Sequence, residues 1–197
     1  MLRVKSWSTD IRHLAPAADR AVPAAARRRG GFVREIVEAA TSRHVAEPWC
    51  SAVRCIARVG RRVCGARVHV GQPEQGRVEW ACATCGENGV VTDFEATVHD
   101  LSPYAPTKKK LRHWGFDDEG REVLLDATTH VPSLRAVIAR ASPAADVPGL
   151  LLLQATIDEL DEIYTLVEEL TDATRSRRRI ELLDGMRADL CGAMDGF

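Results

Sequence analysis

The element Cys82, Ala83, Thr84, Cys85, Gly86 constrains this chain more than any other. It follows Val78, Trp80 and Cys82, a run that alternates at period two and therefore reads as a strand. A turn of this length aims two thiols at one point, and its glycine permits a backbone conformation that turns amide groups toward sulfur. Cys64 precedes an earlier alternating pair, Val68 and Val70, and is separated from Cys82 by seventeen residues, inside the interval between ligand pairs of zinc sites. Cys55 is taken as the fourth ligand, with eight residues, Gly60 and Arg61 among them, between it and Cys64. Cys50 is the alternate. His69 ranks third, because alternation with Val68 and Val70 turns it to the opposite face. Four thiolates imply a closed, structural Zn2+ site, since a catalytic zinc keeps one position open to water. The competing reading, cysteines as small buried hydrophobes, leaves a hairpin with few large apolar residues short of stabilisation.

Around that constellation the pattern predicts an α+β fold: a zinc-ribbon-like β-hairpin module followed by a small α/β unit ending in a helical hairpin. Residues 1–30, with Ala24, Ala25, Ala26 and then Arg27, Arg28, Arg29, read as a disordered basic tail. Residues 31–48 hold a short amphipathic helix, with Phe32, Ile36, Val37 and Ala40 on one face. The module spans 49–100, its hairpin turning through residues 71–76 and a third strand following near Val90 to Val98. Pro103, Pro106, the Lys108, Lys109, Lys110 run and the acidic residues Asp117, Asp118 and Glu119 mark 101–120 as a linker. In 121–197, Glu122 to Ala127 and Leu150 to Leu153 read as strands and the segment after Pro132 as a short helix. Thr156 with Glu159 forms a capping box that starts a helix near Ile157, with Ile157, Leu160, Tyr164, Val167 and Leu170 as its apolar stripe. A second helix follows Arg177, Arg178 and Arg179, with Ile180, Leu183, Met186 and Leu190 inward and Cys191 read as a packed helix residue.

The hairpin, the CxxCG element and the stretch Cys82 to Val91 resemble zinc ribbons in general. With Asp100, Leu101, Ser102, Pro103 and a charged helical C-terminus, the wider chain also resembles a group of uncharacterised bacterial proteins from high-GC genomes. That resemblance implies no activity, and the long Cys55 to Cys64 gap departs from the common ribbon spacing.

Function is bounded by composition and by absent motifs. The chain of 197 residues carries 45% hydrophobic and 28% charged residues and a net charge of −1, so no global basic field marks it as a nucleic-acid binder. No run approaches the roughly 18 to 20 apolar residues that span a bilayer, and no apolar segment follows the basic start as export would require. A cytoplasmic setting is therefore expected, where thiols serve as metal ligands rather than disulfides. Locally, Arg54, Arg58, Arg61, Arg62 and Arg67 lie in a stretch without a carboxylate. Lys108, Lys109, Lys110, Arg112, His113 and Trp114 form a second basic cluster. Together these suggest a nucleic-acid surface with Trp114 as a stacking platform. A zinc-ribbon binding protein of regulatory or accessory type is the expected function. The alternatives are a protein-interaction module or homodimer through the C-terminal helices, or an enzyme. His99 with Asp100, and His130 near Asp126, are the acid-base pairs on offer, but no P-loop, GxGxxG, HExxH or GxSxG is present.

Overall fold

The computed structural model describes residues 6–14, 22–43, 47–71, 73–105 and 111–195. The chain divides into two compact units, Met1–Ala105 and Pro106–Phe197. Among the described residues the fold is mixed α+β, with five α-helices and several sheets.

Unit 1 is built on a five-stranded sheet. Its strands are β1 (Ser6–Asp10), β2 (Trp49–Arg54), β5 (Arg67–Val70), β6 (Arg77–Ala81) and β7 (Asn88–Thr92), in the order β1-β7-β6-β5-β2. All neighbours are antiparallel except β1, which runs parallel to β7. Alternation decides which face is covered: Val68, Val70, Val78, Trp80 and Val91 are buried, while His69 and Glu79 are exposed. The buried face packs on α1 (Ala24–Thr41), which contributes Phe32, Val33, Ile36, Val37 and Ala40 to the same core. Trp7, Phe32 and Trp80 meet edge to face, with ring centroids 5.0 to 6.5 Å apart, a geometry that suits the aromatic quadrupole. Gly89, paired with both Trp7 and Trp80 across the ladders, makes room for them. A Cβ there would lie 2.8 Å from the Trp7 carbonyl and from Trp80 Nε1.

Two expectations are corrected in this unit. The segment 1–30 is not a disordered tail where it is described, because β1, a 3₁₀ helix at Ile11–Leu14 and the first turns of α1 fall within it. Trp7 supplies the apolar anchor for β1, its Nε1 donating to Glu87 at 2.7 Å. The amphipathic helix begins at Ala24 rather than residue 31. Its alanines and arginines are strong helix formers, and packing on the sheet offsets the roughly 1 kcal/mol that each of Gly30 and Gly31 costs.

Unit 2 holds an antiparallel sheet of β8 (Arg112–Phe116), β10 (Leu151–Ala155) and β9 (Ser142–Pro143), in the order β8-β10-β9. Four helices accompany it: α2 (Asp118–Ala127), α3 (Pro132–Ala139), α4 (Ile157–Ala173) and α5 (Arg177–Asp195). Its core gathers Trp114, Phe116, Leu124, Ile138, Leu151, Leu153, Leu160, Ile163, Leu183 and Leu190. The capping box at α4 is formed, with Thr156 N donating to Glu159 Oε2 at 2.7 Å and Glu159 N to Thr156 Oγ1 at 3.2 Å. Glu159 also binds the buried Arg140 at 2.6 Å.

Here too the structure departs from the pattern. Glu122 to Ala127 belong to α2, not to a strand, because Asp117 acts as N-cap, accepting from Gly120 N at 2.8 Å. Asp118 and Glu119 then favour the positive end of the helix. The stretch expected to be a linker, 101–120, contains β8 and the start of α2. Ile157, expected in the apolar stripe of α4, is 50% exposed. No helix among the described residues is long and apolar enough to cross a membrane.

Candidate metal centre

Four cysteine sulfurs of unit 1, those of Cys55, Cys64, Cys82 and Cys85, lie within 4.8 Å of one another and could hold a metal ion. Two cross-pairs are tighter, Cys55 Sγ to Cys85 Sγ at 3.7 Å and Cys64 Sγ to Cys82 Sγ at 3.8 Å. A tetrahedron of thiolates about 2.3 Å from a central zinc has edges of about 3.8 Å, so the donor set fits such an ion. All six cysteines are free thiols. Cys55 and Cys82 are buried, whereas Cys64 and Cys85 are half-buried.

The backbone delivers these sulfurs through two turns with the same hydrogen bonds. In the Cys82 turn, Cys82 N donates to Glu87 O at 2.8 Å and Gly86 N donates to Cys82 O at 2.9 Å. In the Cys55 turn, Cys55 N donates to Ala66 O at 2.7 Å and Gly65 N donates to Cys55 O at 3.0 Å. Each turn closes on a glycine of positive φ, +75° at Gly86 and +66° at Gly65, a conformation that glycine adopts without steric cost. The long gap between Cys55 and Cys64 is taken up by a separate ribbon, β3 (Arg58–Val59) and β4 (Arg62–Val63). Cys64 N donates to Ala57 O at 2.8 Å, which brings the two ends of that insertion together. Without residues 58–63 the segment reads Cys55, Ile56, Ala57, Cys64, Gly65, a second CxxCG beside Cys82, Ala83, Thr84, Cys85, Gly86.

The surroundings set unequal proton affinities. Burial pushes the Cys55 thiol up, and the Cys85 thiol likewise. At Cys82 burial acts the same way, but the backbone N–H groups of Cys85 and Thr84, joined by the neighbouring sulfurs, outweigh it and hold the thiol below its usual range. Amide donors therefore favour the thiolate form at Cys82, and a cation, if held by the four sulfurs, would favour it at each of them.

The remaining candidates are placed elsewhere. Cys50 lies in β2 opposite His69, outside the group of four, and His69 is exposed. Arg54 supports the Cys55 turn by donating to Gly65 O at 2.9 Å, and Arg67 donates to Ala52 O. Arg58, Arg61 and Arg62 are exposed on the β3–β4 ribbon. Lys108, Lys109 and Lys110 lie outside the described residues. Trp114 is 1% exposed and packs against Phe116 at 4.5 Å between centroids, so it offers no face to a base. That expectation is corrected: β8 pairs with β10 and turns Trp114 into the core of unit 2. Cys191, read as packed, is exposed on α5. His99 Nδ1 lies 2.7 Å from Oε1 of the buried Glu38, fastening the loop after β7 to α1. Its sequence neighbour Asp100 instead accepts from the Ser102 amide and hydroxyl, and His130 is exposed. At the start of α5, Arg177 pairs with Glu181 and Arg178 with Glu119.

Comparison with protein-family models, with curated proteins and with solved structures found no match to this chain.

Proposed function

We propose that Cys55, Cys64, Cys82 and Cys85 hold one structural Zn2+, and that unit 1 is a zinc-ribbon-like binding module of regulatory or accessory type whose partner is nucleic acid. One observation carries the metal reading: two matched turns converge four sulfurs within 4.8 Å, with 3.7 and 3.8 Å cross-pairs. Softness of the donors selects zinc or iron over magnesium or calcium, and a closed set of four thiolates fits the structural role of zinc. The partner reading rests on charge. From Pro48 to Pro73 the chain carries five arginines and no carboxylate, so this stretch complements a polyanion. A reducing compartment such as the cytoplasm keeps the thiols available as ligands.

Elemental analysis of the purified full-length protein tests the metal directly. One zinc per chain is expected, in a colourless protein whose cobalt-substituted form displays the visible bands of a tetrahedral thiolate site. A metal-free folded protein, or a red iron form from cells grown with ample zinc, overturns it.

A further inference from the structure

We infer that the β3–β4 ribbon is a DNA-reading finger that enters the major groove of duplex DNA, the metal serving to anchor its base. This deepens the nucleic-acid reading above and rests on it.

The ribbon is surplus to the site beneath it. Its six residues, Arg58 to Val63, are all exposed. The turn at Cys82 makes the same hydrogen bonds without any insertion, so the ribbon is not needed to converge the sulfurs. Val59 and Val63, β-branched residues that would ordinarily be buried, are 44% and 47% exposed. Among the described residues, the side chains of Arg58, Arg61 and Arg62 have no hydrogen-bond or ion-pair partner. Several arginines elsewhere are used in the fold: Arg12 pairs with Asp10, Arg140 with Glu159, and Arg54 and Arg67 donate to backbone carbonyls. The three ribbon guanidiniums are spare.

Their placement suits a groove better than a flat surface. Arg58 pairs with Val63 and Val59 with Arg62 across the ladder, and paired residues share a face. Each face therefore presents one arginine and one valine, with Arg61 at the tip beside Gly60, whose φ is +64°. A groove has two phosphate walls and a floor of base edges, which match two charged faces and a charged tip. Three residues from Cys64 to the turn, at roughly 3.3 Å each, reach about 10 Å. The major groove of B-DNA is roughly 12 Å wide and 8.5 Å deep and admits a two-stranded ribbon. The valines can contact thymine methyls, and arginine can bind guanine O6 and N7 in bidentate fashion. The major groove of A-form RNA is too narrow for such an element, which singles out DNA.

The experiment uses the full-length, zinc-loaded protein and a mixed-sequence DNA duplex of about 20 base pairs, followed by fluorescence anisotropy across a salt series. Two variants accompany it: deletion of residues 58–63, which joins Ala57 to Cys64 and recreates the CxxCG of the other turn, and the triple change Arg58→Ala, Arg61→Ala, Arg62→Ala. Both are expected to keep one zinc per chain. Each should bind roughly ten-fold or more weakly and flatten the log–log salt slope by about 2 to 3, near 0.9 for each phosphate no longer neutralised. Single-stranded DNA and duplex RNA of the same length should bind more weakly than duplex DNA. Unchanged affinity and slope in both variants overturns the finger while leaving the nucleic-acid reading to another surface. Preference for RNA or for single strands overturns the groove assignment. Absence of binding by the parent protein at low salt overturns both readings, while the zinc content, measured separately, still decides the metal.

Discussion

Among the described residues, unit 1 spreads a five-stranded sheet under a single long helix, while unit 2 sets a three-stranded sheet among four helices. The difference shows in what fills each interior. Unit 2 buries leucine and isoleucine at helical spacing, with Leu160, Ile163, Leu183 and Leu190 inaccessible to solvent. Unit 1 fills its sheet with valines, alanines and an aromatic trio, and two of its buried positions are thiols, Cys55 and Cys82. On the proposed metal reading, the binding free energy of an ion held by these thiols would add to the folding free energy of unit 1, beside a core that also buries Phe32, Ile36, Trp80 and Phe94. Unit 2 is held by packing, with the Arg140–Glu159 ion pair among its buried contacts.

Three experiments test this contrast. Cys82→Ser, or removal of metal by a strong chelator, is expected to have the largest effect. Zinc stabilises small sites by roughly 10 to 16 kcal/mol, so unit 1 should lose its fixed structure. Emission from Trp7, Trp49 and Trp80 should shift to the red while the helical circular dichroism of unit 2 persists. Retained tertiary signal from unit 1 would refute that contribution.

Next comes Leu160→Ala, which empties a fully buried position of α4 and should cost about 4 kcal/mol, read as a lowered denaturant midpoint for unit 2. Zinc content should not change. Loss of metal in this variant would mean that the two cores are coupled.

The smallest effect is expected from Glu159→Gln. Glutamine keeps the capping box but removes the negative charge that Glu159 sets against Arg140, whose side chain is 2% exposed, at a cost of about 3 kcal/mol. The same carboxylate sets a pH dependence. Burial raises its proton affinity, but the Arg140 and Thr156 hydrogen bonds prevail and hold it below the usual carboxylate range. Its contribution is therefore present above the unfolded-state value and is lost as pH falls through the folded one. Acid titration of stability should show this loss in the parent protein and not in Glu159→Gln; identical curves would exclude the pair as its source.

Some of this architecture can be read from local pattern, because its causes are local. Alternation through Val68 and Val70 and through Val78 and Trp80 marks β5 and β6, which pair antiparallel. Thr156 and Glu159 mark the start of α4. The rest depends on partners distant in sequence. β1 exists because Trp7 finds Trp80 and Phe32, and β8 because β10 supplies its ladder, which also buries Trp114. α2 hides behind an acidic stretch that reads equally as a turn until Asp117 is seen to cap it. The twin of the CxxCG element is concealed differently. Its residues are all in the sequence, but six others separate Ala57 from Cys64, and spacing alone cannot distinguish an inserted ribbon from an irregular loop.

The hydrogen bond between Cys64 N and Ala57 O makes that point of the chain a socket. Whatever leaves through Ala57 and returns at Cys64 is seen by the sulfurs only as a closed turn, so the anchoring and the anchored segment can vary independently. A ribbon of different length or charge could be seated there without redesign of the fold beneath it. The same position is a natural site for grafting foreign recognition sequences onto this scaffold.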